Sequence, residues 1–310
     1  MRNAVLLMIA MYAACGAGFA QVDPGAQLTN RIHGGEAVVS SASGRANGVA
    51  WLGLANLYED AARYDDAERA FRKAADLLKG KDRIHYADAL DRMGVMYVER
   101  GKFGKAEALE RKALAIRQDR NDAVGMGRSY MHLALVAYGK HDVRGAEADA
   151  EMAVSMLVPE HANDARAKGA TPEEKMSALI DLSLIRCGAG ACAGATHDLE
   201  RALQLARANY PANSVPVGLL HFLLGFASAK SGDAQGGAEL MKMGIEEMKT
   251  QMGWGHPTYV AALKEYRAVL VRAGRDVDAS EVEESIAKLS GSTASAGNSG
   301  GGFLGMSALR

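Results

Sequence analysis

Along this chain apolar residues return every three or four positions, and polar residues fill the intervals. The stretch from Ala89 to Ile116 shows the unit. Leu90, Met93, Gly94 and Tyr97 share one face of a predicted helix, Gly101 interrupts it, and Phe103, Ala106 and Ala113 mark a face of a second helix. On that second helix Glu107, Glu110, Arg111 and Lys112 are expected to face water. Gly94 and Ala106 are small where two helices must approach closely. A hairpin this short cannot cover its own apolar stripe, so it needs copies on either side.

The copies are present. The small residue early in each second helix recurs as Ala67, Ala106, Ala146, Ala195, Gly237 and Ala279, at steps of 39, 40, 49, 42 and 42 residues. The long step is explained by 158–175, which holds Pro159, Pro172 and a run of charges and reads as an exposed inter-repeat loop. The pattern predicts an all-α chain with hairpins over about 48–80, 87–118, 127–157, 176–208, 218–249 and 260–289.

Trp51, Leu54, Ala55 and Tyr58, followed by Ala67, Phe71 and Ala74, keep the spacing W-x2-L-G-x2-Y…A-x3-F, with Ala55 in place of Gly. The next unit repeats it with Leu90 for the Trp and Glu110 for the Phe. The chain therefore resembles the tetratricopeptide repeat family from about Gly48 to Leu289. The longer period, and Gly255-His256-Pro257 opening a helix, are similar to its kinesin-light-chain-like branch. The resemblance implies a right-handed superhelical solenoid of about six helix-turn-helix repeats. It also implies a chain that binds a peptide or protein partner and carries no chemistry of its own.

In that family the first helix of each pair lines a concave wall. The implied groove residues of the first two repeats are Asn56, Glu59, Asp60, Asp88, Asp91 and Glu99, a largely acidic set. Those of the fourth and fifth are Ile180, Leu184, Leu219, Phe222, Leu223 and Phe226, a largely apolar set. Met131, Leu135 and Tyr138 of the third lie between. Such a wall suits a segment with apolar side chains against repeats three to five and a basic end near repeats one and two. The rival readings are that the apolar wall is covered by the chain's own tail, or by a second copy. The clamp by which some relatives hold a terminal carboxylate is not assembled. Asn56 suits it, but Asp91 and Val95 stand where basic or amide groups are needed.

Composition narrows the partner. A formal net charge of −1 over 310 residues gives no global field for nucleic acid or anionic membrane. Met1 to Ala20 reads as an export signal: Arg2, then an apolar run from Ala4 to Ala14, then Gly18-Phe19-Ala20 before Gln21. No later run is long enough to span a bilayer. The alternative is a lipid-anchored envelope factor, because Tyr12-Ala13-Ala14-Cys15-Gly16 resembles a lipoprotein signal with Cys15 as the acylated residue. Gln21 to Asn47 and Ser290 to Arg310 are polar and Gly/Ser-rich and are expected to be loose, with an apolar cluster at Phe303, Leu304, Met306 and Leu309.

After removal of the signal Cys187 and Cys192 remain, either bridged or simply buried. The eight histidines are scattered, and no H-E-x-x-H, zinc spacing, G-x-S-x-G elbow or phosphate-binding loop occurs. No catalytic, cofactor or metal residues are expected. An enzyme with an unrecognised site is the alternative of another class.

Overall fold

The computed structural model describes residues 24–158, 169–252 and 257–295, and those residues form thirteen α-helices with no strand among them. After α1 (Pro24–Ser41) come the pairs α2 (Gly44–Asp60) with α3 (Tyr64–Leu78), α4 (Arg83–Glu99) with α5 (Phe103–Asp119), and α6 (Ala123–Gly139) with α7 (Val143–Leu157). Then follow α8 (Pro172–Gly188) with α9 (Cys192–Asn209), α10 (Val215–Lys230) with α11 (Ala234–Met252), and α12 (Pro257–Arg272) with α13 (Asp276–Ser295). The described residues divide into two compact units, with the boundary in the sequence between Gly169 and Ala170. In each, a helix packs on its hairpin partner and the hairpin packs on the next.

Every pair reverses in the same way. A residue with positive φ closes each first helix: Ala62, Gly101, His141, Gly190, Gly232 and Gly274. The amide of the next residue donates back to a carbonyl five positions earlier, as in Arg63 to Tyr58, Lys102 to Tyr97 and Arg275 to Leu270, at 2.8, 2.8 and 2.9 Å. This bond satisfies a carbonyl that the helix end leaves open, and the left-handed residue makes it reachable. Five residues after each reversal stands the small residue of the repeat. Ala67, Ala106, Ala146 and Ala195 are fully buried there. In α10 and α11 the approach is closest: a Cβ on Gly225 would lie 2.5 Å from the Gly237 carbonyl oxygen.

Helix starts are equally local. The Asp122 and Asp142 carboxylates accept from the Gly125 and Gly145 amides, and Thr171 forms a reciprocal capping box with Glu174.

Two expectations are corrected. The segment from Gln21 to Asn47, read as loose, is helical from Pro24 to Ser41. Leu28, Ile32 and Val39 lie at helical spacing, Ile32 and Val39 are buried against the first core, and the Tyr58 hydroxyl donates to Glu36 at 2.7 Å. The polar composition hid this stripe because one apolar residue per turn is enough when a neighbour covers it. At the other end α13 continues past Leu289 to Ser295. The signal segment, most of the inter-repeat loop, His256 and the apolar tail cluster lie outside the described residues. No described helix is long and apolar enough to cross a membrane.

Candidate functional site

In the first unit α2 and α4 lie side by side. Arg92 of α4 reaches across them, donating from Nε to Asn56 Oδ1 at 3.2 Å and from a terminal nitrogen to Glu59 Oε2 at 3.1 Å. Glu59 is nearly buried, and its other oxygen, Oε1, accepts no hydrogen bond. Burial pushes the Glu59 carboxyl up to about 7; Arg92 pulls it down, while Glu99 and Asp60 push it further up. Glu99 is raised by burial as well, again against Arg92. Two carboxylates therefore depend on one guanidinium, and Asp60 adds to the negative field. Next to them an open cleft of about 550 Å³ runs between α1 and α2, with Arg31, Val38, Leu54, Asn56, Leu57 and Asp60 in its lining.

Deeper in the same unit lies a second polar cluster. Arg117 of α5 is 1% exposed. It donates to Asp91 Oδ1 at 2.8 Å, to Ser129 Oγ at 2.8 Å, to the Gly125 carbonyl at 3.0 Å and to Asp88 Oδ1 at 3.0 Å. His132 Nδ1 sits 3.1 Å from Asp91 Oδ1 and 3.5 Å from Glu110 Oε1. Burial opposes a charge on His132, yet Asp91 and Glu110 hold its imidazolium up to about 10. Burial pushes Glu110 up to about 8, with His132 opposing and Asp91 adding. Asp91 stays ionised despite its burial because His132 and Arg117 draw it below the usual carboxylate range.

Glu110 is thus not a water-facing residue. It is 0% exposed, because it falls on the stripe 106, 110, 113, 117 that α5 turns inward with Ala106 and Ala113. Its carboxylate lies over Gly94, where any Cβ would collide with it. The signal was legible as a charge pair standing in register with two alanines. The partners could not be found from spacing, because Asp91, Glu110 and His132 come from three helices.

The remaining groove positions divide. Asn56, Glu59, Asp88, Met131 and Leu135 are half-buried, whereas Asp91 and Tyr138 are buried. In the second unit Ile180, Leu184, Leu219, Phe222, Leu223 and Phe226 are all 0–2% exposed. They are interior residues here and not an open wall. The reason is compositional: α10 is apolar on every side, and leaving such a helix wet forfeits about 25 cal/mol for each Å² of apolar surface. Cys187 and Cys192 are joined in a disulfide across the α8–α9 reversal, with a Cα–Cα distance of 4.1 Å.

Residues 48–119 match the tetratricopeptide repeat family. The other described hairpins continue the same helix-pair architecture. Solved structures with the same fold include a chain described as a kinesin light chain with nearly identical TPR-like repeats from Podosopora anserina. It is 18% identical with a TM-score of 0.54, over 66% of this chain and 95% of that one. BtubC (BKLC) from P. vanneervenii is 16% identical with a TM-score of 0.54, over 89% and 95%. A Rap protein complexed with competence and sporulation factor is 11% identical with a TM-score of 0.57, over 86% and 81%. No curated protein matches the chain in sequence. At these identities the likeness establishes the tetratricopeptide architecture and leaves the ligand to the residues themselves.

Proposed function

We propose that this tetratricopeptide-type chain is an exported, non-enzymatic interaction scaffold whose first two hairpins hold a basic segment of a protein partner. The observation that carries the reading is Glu59, a nearly buried carboxylate with an oxygen that no donor reaches, where Glu99 and Asp60 add negative charge against Arg92. A lysine or arginine from outside supplies the missing donor and offsets the excess charge. The cleft between α1 and α2 offers an adjoining place for an apolar side chain of the same segment. Solved relatives of this fold in complexes include the Rap protein above and a Rap conjugation gene regulator with the Phr* peptide. Export rests on the sequence of Met1 to Ala20. The mass of the mature N-terminus tests it: a chain starting at Gln21 is soluble, and an acylated Cys15 is the anchored alternative.

Fluorescence anisotropy with labelled twelve-residue peptides, alternating Lys/Leu against Glu/Leu, tests the binding. The Lys/Leu peptide is expected to bind more tightly, to weaken as pH falls below about 7 and Glu59 takes up its proton, and to lose on the order of 10-fold affinity with Glu59→Gln. Equal binding of both peptides would sink the reading.

A further inference from the structure

The cluster around Glu110 has a feature that its hydrogen bonds do not account for. Both oxygens of this carboxylate are buried and neither has a hydrogen-bond partner, although the group points at His132 Nδ1 from 3.5 Å. One carboxylate oxygen each from Asp91 and Glu110 and one imidazole nitrogen lie within 4.8 Å of one another. We propose that Asp91, Glu110 and His132 bind one divalent transition-metal ion that ties the second hairpin to the third.

The chemistry of the donors supports this. One imidazole and two carboxylates form a mixed nitrogen–oxygen set of the kind that takes zinc, cobalt or manganese. Arg117 holds Asp91 by Oδ1, the oxygen that lies 3.1 Å from His132 Nδ1, and Arg117 is itself fixed by Asp88. That is the outer support that orients a ligating carboxylate. With a neutral imidazole the group has three carboxylates against one guanidinium, a net charge of −2 that a divalent cation cancels. Such an ion takes the place of the proton otherwise shared between the imidazole and the carboxylates. Gly94 keeps the space in which the Glu110 carboxylate lies. His132 retains a small exposed edge, with 16% of its side chain open, which gives a way in.

The test uses the full chain, stripped with a chelator and titrated separately with Zn²⁺ by calorimetry and with Co²⁺ by visible absorption. One equivalent of each is expected to bind, with Co²⁺ showing the spectrum of a nitrogen–oxygen site. Glu110→Gln, which preserves size and shape, and His132→Asn should each weaken binding on the order of 100-fold while circular dichroism confirms retained helicity. An unaltered chain that takes up neither ion overturns the proposal, and so does uptake that both variants keep. A melting temperature that follows pH and ignores Zn²⁺ also overturns it, and identifies the cluster as bound by a proton.

Discussion

Where the second hairpin meets the third, the seam holds Asp91, Glu110, Arg117 and His132; around α10 the interior holds Leu219, Phe222, Leu223 and Phe226. The backbone architecture is alike in both places, down to the hydrogen bond that reverses each pair. What differs is how each interior resists opening. The apolar one is held by area and close packing, so its strength falls in proportion to the atoms removed. The charged one is held by the pairing of Arg117 and His132 with Asp91, so removal of one member strands the others in a medium that cannot solvate them. A repeat fold therefore fixes the spacing of its helices and leaves the chemistry between them free.

The comparison is broken most severely by single truncations on each side. Phe222→Ala should lower stability by about 3–5 kcal/mol through the cavity it leaves. Arg117→Ala should lower it by a similar ~3–5 kcal/mol, by leaving Asp88 without its counter-ion and Asp91 with His132 alone. A second change separates the two mechanisms: Asp91→Leu added to Arg117→Met should recover part of the loss, because the buried pair is then gone and Asp88, left behind, is partly exposed. Urea unfolding followed by circular dichroism measures all of these, and a Phe222→Ala chain of unchanged stability would place that ring on an open wall.

A smaller effect comes from pH. The Glu59 carboxyl titrates near 7 in the folded chain, above its ordinary 4.5. Its contribution to stability is therefore full below about pH 4.5 and is lost as pH rises through 7, in total about 3 kcal/mol at most. Glu59→Gln should flatten that part of the stability–pH curve; an unchanged curve would mean that the carboxylate is solvated. The smallest expected effect concerns the reversals. All three in the second unit use glycine, whereas Ala62 and His141 adopt φ values of 55° and 68° in the first. Ala62→Gly and His141→Gly should each raise stability by roughly 0.5–1 kcal/mol, seen as a higher thermal midpoint.

Much of the architecture could be read from the chain. The steps between Ala67, Ala106, Ala146, Ala195, Gly237 and Ala279 report the close approach of paired helices, and only small residues permit it. The site was less legible. Glu110 looked like a surface charge because residue type was weighed before register, and register with Ala106 and Ala113 points it inward. The link from Asp91 to His132 spans 41 residues and depends on how one hairpin seats on the next. Helix α1 was missed for a related reason: Ile32 and Val39 gain their meaning only once a neighbouring helix stands beside them.

The repeated reversal has a consequence for how the molecule is made. Each one closes within six residues, so a growing chain can complete a hairpin before its neighbours exist. Little loop entropy has to be overcome at any step, and contacts spread outward from whichever hairpin forms first. Lengthening or shortening such a chain by a whole cassette requires no new kind of joint.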